Sequence, residues 1–589
     1  MLRDNMYKRK DKYVNKLKAF VKTENIVYIM SIVTLAIMGI VNIHNLNYPV
    51  VLNDEFGYWG NAVSILGYDW KELISETPYY AWGYSIWLIP IILILPFQFW
   101  YKAAVGLNVF FLIIAYVVSV KTGEQLFYNV NKSIIRILCL ITILYPSNMV
   151  YIQVTWSESL LYMLTWMATY LIVKLEKRFT YIGFFTAIGI LSYMYMVHAR
   201  TIGIIAVAIV CLFFIIIKHK KKIWHFIFPI FLLGLSYIIN SKIKNYQIAQ
   251  VWNNSSISAM NNVGLDKNTI AFFWGRLSND LVFLLESLGA KLIVLFISTG
   301  FTFPIACTHI FTSIWKAFRE KNIFKQDFII SKIWCLGIIF AMWAICSLQM
   351  MYWEERKDVI VYSRYMENAM GPILLIGLIY VILKMKHNWI YATSAFIMML
   401  LCIRNIYWRV LEAPGRFNTI CSPIFGAFYE KFGDIDKTFY ALLVLSVIFV
   451  VAILTAKKIK NVKWLVAILG SVFISLFVII STNADRYLLD WRSNLDKQIV
   501  PVAKIISEDY EGKEIYYVQD KEHDLYSVNP KYLQFMIPKA RIEVIEKDKI
   551  DKEQIKENSI VLLNPHTESI FDDIVPEIET NMLKVVYVK

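Results

Sequence analysis

The sequence predicts an α-helical polytopic membrane protein of about thirteen transmembrane helices, closed by a small C-terminal extracytoplasmic α/β domain. Three observations predict it. Of 589 residues 58% are apolar and only 18% charged, with a mean hydropathy of +0.51, whereas soluble domains carry nearer a quarter charged residues. Apolar runs at 26–43, 103–120, 201–217, 223–239 and 462–481 each approach the roughly 20 residues a helix needs to cross a bilayer. Between the runs lie basic clusters, at 1–22, 174–178, 218–222, 316–332, 384–387 and 457–463, as in short cytoplasmic loops.

Residues 1–25 read as a cytoplasmic basic tail. The run after it is a retained span and not a signal peptide, because its basic flank is long and no small-residue cleavage site follows. The first outward loop is 45–102. The stretch 137–173 divides near Pro146 into two spans with basic residues on both outer flanks, so a single span separates the first loop from Lys121. Region 83–120 nevertheless holds two apolar pieces. The first is broken by Pro90 and Pro96 and rich in Trp82, Trp87 and Trp100, which assigns it to the outer interface or a re-entrant turn. Further spans follow at 134–150, 157–173, 181–196, 201–217, 223–241, 291–315, 333–350, 368–383, 389–406, 438–456 and 462–482. The membrane domain is then 26–482 and the outward α/β domain 483–589. Its apolar strips at 514–518, 542–545, 560–563 and 583–588 read as strands, with a helical piece at 531–537.

A formal charge of +15 would suggest nucleic acid in a soluble protein. Here it divides by compartment. From Asn483 onward there are 15 Lys/Arg against 21 Asp/Glu, a net of −6, which leaves +21 on the membrane part. That is positive-inside topology in a multi-pass protein of the cell membrane with its N-terminus in the cytoplasm, and nucleic acid is excluded as a partner. The seven cysteines lack a CxxC, and none follows Cys421, so the tail has no disulfide available. No HExxH, P-loop or GxGxxG occurs. An outward site has no nucleotide sugar or ATP to use, so its energy must arrive in an activated, membrane-delivered donor.

Four constellations could carry chemistry. Asp54-Glu55 lies just beyond the first span among aromatic and small residues, where a positioned carboxylate can act as a base; the alternative is a helix N-cap. Glu158, in Thr155-Trp156-Ser157-Glu158-Ser159, stands at the membrane edge. It must face a polar cavity or a cation there, or answer a helix dipole. Arg200, in Val197-His198-Ala199-Arg200-Thr201, falls on the outward side against the positive-inside bias. It calls for a phosphate or for a bridge to Glu158 or Asp54. His198 alone reads as structural. Arg364-Tyr365 opens a later span on the same face, after a charged run at 354–358 that reads as a solvated loop. The loop 404–436, with Arg409, Glu412 and Arg416, suggests only substrate access.

Taken in order and sidedness, these motifs resemble the GT-C class of membrane glycosyltransferases. The likeness is closest to the branch of protein O-mannosyltransferases and the lipid A aminoarabinose transferase, and it covers roughly 26–385 without reaching the tail. It implies a polyprenyl-phosphate-linked sugar as donor, an acceptor that is a protein, lipid or envelope polymer, and inversion at the anomeric carbon. It assigns Asp54, Glu55 and Glu158 to catalysis, with Asp54 the base and Glu55 its companion. Arg200, Arg364, His198 and Tyr365 are assigned to the donor phosphate. It leaves a metal requirement open, a divalent cation included. His198-Ala199-Arg200 replaces the Arg-Pro common at that point, and no Trp-Trp-Asp block of the oligosaccharyltransferase kind occurs, which argues against en bloc transfer. Two other classes fit a polytopic chain with buried charges. A transporter or lipid or polysaccharide flippase would show pseudo-symmetric halves, which are not seen, and a non-catalytic assembly protein would need none of these charges to act.

Overall fold

The computed structural model describes residues 23–43, 46–255, 271, 274–275, 277–278, 280–321, 324–351, 356–415, 417–509, 513–522, 524, 527–550, 555–567, 571 and 574–588. Most of the basic N-terminal tail, residues 354–355 of the charged loop and Arg416 lie outside the described residues.

The first predicted span is α1 (Thr23–Ile43). Three helices precede the next long one: α2 (Leu52–Ile65), α3 (Lys71–Ser75) and α4 (Trp82–Ile94). At 1.5 Å per residue, the 13 residues of α4 rise only about 20 Å, short of a hydrocarbon core about 30 Å thick. Gly83 presses α4 against the chain at Met196 and Val197, where a Cβ would lie 2.6 Å from backbone atoms.

Then come α5 (Trp100–Leu126), α6 (Lys132–Ile143), α7 (Pro146–Tyr151), α8 (Glu158–Lys177), α9 (Tyr181–Val197), α10 (Ile202–Lys218) and α11 (Trp224–Gln250). They are followed by α12 (Leu281–Ser298), α13 (Thr302–Arg319), α14 (Ile329–Met350), α15 (Arg364–Glu367), α16 (Met370–Ile382), α17 (Asn388–Glu412), α18 (Pro423–Phe432), α19 (Ile435–Ala456) and α20 (Val462–Gln498). Among the described residues nine helices are long and apolar enough to cross a membrane. The count reaches ten if the bent pair 359–367 and 370–382, whose halves meet at 86°, is taken as one broken span and not as a re-entrant loop. The three remaining expected spans, at 134–150, 157–173 and 181–196, are helical but shorter or more polar. Position explains it. Most of α8 is buried, so Tyr162, Thr165 and Thr169 direct their hydroxyls to backbone carbonyls instead of facing lipid.

Two boundaries differ from expectation. The span expected at 291–315 is two helices, α12 and α13, parted where Gly300 and Phe301 adopt left-handed φ of 56° and 61°. The last span does not end at 482; α20 runs unbroken to Gln498, because Asp485, Arg492 and Asp496 are compatible with a helix that has left the apolar layer.

The tail continues as α21 (Val500–Asp509), β1 (Ile515–Gln519), α22 (Val528–Met536), β2 (Ile542–Glu546), β3 (Ser559–Leu563), β4 (Ile578–Glu579) and β5 (Lys584–Val588). The sheet order is β2-β1-β3-β5-β4. β1 pairs in parallel with β2 and β3, while β5 is antiparallel to β3 and β4. Both faces of β1 and β3 are buried, which is why they read as unbroken apolar strips.

Candidate active site

Asp54 occupies the first turn of α2 but does not cap it. The N-cap is Val51, with no side-chain cap bond. Tyr80 instead donates to Asp54 Oδ1 at 2.5 Å, and Arg364 Nη1 donates to Oδ2 at 2.6 Å. With 22% of its side chain exposed, Asp54 is the most open carboxylate of the cluster; Glu158 is 3% exposed. One turn along α2, Tyr58 hydrogen-bonds to Ser157, the residue before Glu158.

Glu158 opens α8 and gathers two cations on one oxygen. Its Oε1 accepts from Arg364 Nε at 2.5 Å and from Arg200 Nη2 at 3.0 Å. Three ion pairs, two of them buried and the Asp54 pair partly open, therefore form one chain: Asp54, Arg364, Glu158, Arg200. Buried pairs persist only where geometry and further hydrogen bonds offset desolvation, and aromatic faces add to the support here. The Arg364 guanidinium lies 3.5 Å from the centre of the Trp156 ring, and that of Arg200 lies 4.4 Å from the centre of Tyr365. Arg200 sits in a short turn between α9 and α10, where its backbone N–H donates to His198 Nδ1 at 3.3 Å. Burial, aided by the neighbouring Arg200 cation, holds His198 well below the usual imidazole range, so it is neutral and able to accept that bond.

Not every polar atom of the chain is engaged. Arg200 Nε and Nη1 and Glu158 Oε2 are buried and have no hydrogen-bond partner among the described residues. Unused guanidinium donors beside a partly open carboxylate can receive an anion's oxygens.

Glu55 belongs to a different network. It is fully buried. Its Oε1 accepts from the Val50 and Val51 backbone N–H groups, each at 2.9 Å. Its Oε2 accepts from the Tyr101 hydroxyl at 2.7 Å, the Thr155 N–H at 2.7 Å and the Thr155 hydroxyl at 2.6 Å. The carboxylate thus ties the start of α2 to α5 and to the segment leading into Glu158.

Of the expected residues, the structure brings Asp54, Glu158, Arg200 and Arg364 into direct contact. His198 and Tyr365 stand beside them, their rings 5.9 Å apart, and Glu55 faces away. Sequence reasoning missed Tyr80 and the Trp156 stack. It also missed Glu367, one turn after Arg364, which accepts from Tyr151 at 2.5 Å and from Ser363 at 2.6 Å and so fixes the Arg364 turn. The one signal for Tyr80 was its place in an aromatic run within the same loop. Among the described residues no group of three or more His, Cys, Asp or Glu could hold a metal ion.

No family model and no curated protein matches the sequence. Solved structures match it in fold. The crystal structure of ArnT from Cupriavidus metallidurans bound to undecaprenyl phosphate matches with a TM-score of 0.52 at 12% identity, over 95% of this chain and 97% of that one. The apo state of ArnT gives 0.52 at 11% identity over the same shares. The chain has a GT-C fold. The likeness to ArnT reaches further than the motifs did: the unmatched 5% is far shorter than the tail, so a resemblance confined to 26–385 was too narrow. The archaeal oligosaccharyltransferase AglB from Archaeoglobus fulgidus, in complex with an inhibitory peptide and a dolichol-phosphate, matches at a TM-score of 0.35 and 12% identity, over 71% of this chain and 59% of that one.

Proposed function

We propose that this multi-pass membrane protein is a glycosyltransferase that moves a sugar from a polyprenyl-phosphate donor to an acceptor on the outer face of the cell membrane. One observation carries the reading: a single buried chain of charges joins an accessible carboxylate, Asp54, to two arginines, one of which keeps unpaired donors. ArnT, whose fold this chain shares, has been crystallised with undecaprenyl phosphate.

In this reading the donor's phosphate binds the free Nε and Nη1 of Arg200 and draws Arg364 away from Asp54. The freed carboxylate takes the proton of the acceptor's hydroxyl or amine as that atom attacks the anomeric carbon. The new bond to the anomeric carbon forms as the bond to the phosphate oxygen breaks, and the electron pair leaves with the lipid phosphate. Arg200 and Arg364 stabilise the charge that grows there. Direct displacement inverts the anomeric centre. Glu158 holds the two arginines at a fixed spacing, and Glu55 orients α2 without touching substrate.

The test begins with mass spectrometry of the purified protein, to find which polyprenyl-linked sugar stays bound. Transfer from that donor is then compared in the natural protein and in Asp54→Asn. The variant should fold and bind undecaprenyl phosphate yet lose transfer by roughly a hundredfold or more, the usual contribution of a general base. A well-folded Asp54→Asn protein with full activity sinks the assignment.

A further inference from the structure

The two faces of α2 look at different parts of the molecule. Asp54 and Tyr58, one turn apart, face Tyr80, Arg364 and Ser157. Glu55 and Trp59, also one turn apart, stand about 100° further round the helix. The C-terminal domain supplies part of the packing against that second face, beside Thr155, Tyr101 and Trp100.

Phe535 of α22 lies among aromatic rings of the first loop and the start of α5. Its ring centre is 5.3 Å from Trp59, 6.3 Å from Trp70, 5.8 Å from Phe97 and 6.2 Å from Tyr101. The contacts with Trp59, Trp70 and Tyr101 are edge-on, the favoured aromatic arrangement, and Phe535 is 1% exposed. One turn earlier on α22, Tyr532 donates its hydroxyl to the Val50 carbonyl at 2.8 Å, a buried bond. The N–H of the same Val50 donates to Glu55. Trp70 donates to the Pro538 carbonyl at 2.8 Å, and Lys531 donates to the Glu76 carbonyl at 2.9 Å. The entry to α2 is therefore held jointly by Glu55 and α22, while Trp59 on its back face is held by Phe535 together with a bond to Thr155 and a stack on Trp100.

We infer that Tyr532 and Phe535 of the tail domain are positioning residues for Asp54, so that the tail is part of the catalytic unit. The inference rests on Asp54 being the base. A carboxylate on the first turn of a short helix can be aimed within tenths of an ångström only if the helix cannot roll about its axis, and small misplacements of catalytic groups are costly. Glu55 pins the chain entering α2, and Phe535 wedges Trp59 from behind. Tyr532 joins the two restraints at Val50. The donor-phosphate arginines stand on other elements, the turn before α10 and the start of α15, so loosening α22 should spare donor binding and harm the chemical step.

The experiment uses the full-length protein in lipid nanodiscs, with Phe535→Ala, Phe535→Leu and Tyr532→Phe. Three quantities are read: hydrogen exchange at amides 50–58, binding of undecaprenyl phosphate, and transfer of the sugar donor that co-purifies with the natural protein. Phe535→Ala should speed exchange at 50–58 at least fivefold, lower kcat roughly tenfold or more, and leave donor KM and undecaprenyl phosphate binding within twofold. Phe535→Leu, which refills most of the volume, should recover most of kcat, and Tyr532→Phe should give a smaller change of the same pattern. Unchanged exchange at 50–58 in Phe535→Ala, beside an inactive Asp54→Asn, overturns this inference alone. Equal losses of kcat and of undecaprenyl phosphate binding overturn it too, as the mark of general unfolding. Full turnover in Asp54→Asn removes the catalytic reading and this inference with it.

Discussion

Arg364 donates to Asp54 at 2.6 Å through Nη1 and to Glu158 at 2.5 Å through Nε, so one guanidinium is shared by two carboxylates from distant parts of the sequence. In the proposed reaction that sharing holds Arg364 in place before the donor arrives. The donor's phosphate then competes for the arginine and releases the base.

Glu158→Gln tests the hinge of this arrangement. The side chain keeps its shape but no longer balances Arg200, whose only ion-pair partner it is among the described residues. Removing one partner of a buried pair costs about 3–5 kcal/mol. The melting temperature should fall, and added undecaprenyl phosphate should restore more of it in Glu158→Gln than in the natural protein, because the phosphate replaces the missing anion. A melting temperature that ignores the lipid in both proteins would falsify the phosphate assignment.

Arg200→Ala makes the complementary prediction. Glu158 keeps its bond to Arg364, so stability should change little. Charge-assisted hydrogen bonds contribute roughly 1.5–3 kcal/mol each and two are lost, so undecaprenyl phosphate affinity should fall about a hundredfold or more. Arg200→Lys should recover only part of it, since a lysine cannot offer the paired Nε and Nη1 donors. Titration with the lipid phosphate decides; full recovery by lysine means that charge alone is read at this position.

How much of this was legible depends on what each feature needs. Span parity needs only the alternation of apolar runs and basic clusters, and it placed Asp54, Glu158, Arg200 and Arg364 on one face, where they now touch. The strands of the tail were legible because β1 and β3 are buried on both faces. Partners across the chain were not. Tyr80 reaches Asp54 across 26 residues and Arg364 stacks on Trp156 through tertiary packing, and no local pattern encodes either contact. The break between α12 and α13 falls at Gly300, whose left-handed φ lets the chain turn, but a lone glycine inside a long apolar run is also tolerated within a helix, so it did not decide against one continuous span. Glu55 looked like a twin of Asp54 because its five donors come from residues 50, 51, 101 and 155, three separate stretches.

Glu55→Gln separates those twins. An amide offers one acceptor oxygen in place of two, and whichever way it turns its NH2 confronts at least one backbone N–H, of Val50 and Val51 or of Thr155, that can only donate. Each buried donor left unmatched costs about 1–3 kcal/mol, so the variant should lose several degrees of melting temperature along with activity. Asp54→Asn should lose activity at an unchanged melting temperature, since Asp54 is partly open and amide oxygen still accepts from Arg364. Paired melting and transfer assays read the contrast, and a Glu55→Gln protein as stable as the natural one contradicts the hub described here.

Lys531 supplies a pH dependence that isolates the tail's attachment. The residue is fully buried, and burial pushes its ammonium down to about 7, against the pull of the Asp524 and Glu76 carboxylates nearby. In the unfolded chain a lysine titrates near 10.4. Between these values the unfolded chain holds a proton that the folded one has released, so stability rises with pH through that window. Below about 7 both states are protonated and the dependence on this group vanishes. The melting temperature of the full-length protein should therefore climb from pH 7 to pH 9, and Lys531→Met, which keeps the length and removes the titration, should flatten the climb. Protection of the Glu76 turn, read as exchange relative to the base-catalysed intrinsic rate at each pH, should rise over the same interval in the natural protein, because the Lys531 Nζ bond to the Glu76 carbonyl no longer buries a charge. A melting temperature that falls from pH 7 to pH 9 in the natural protein and not in Lys531→Met would show that the buried amine is charged in the folded state and held there by its carboxylate neighbours.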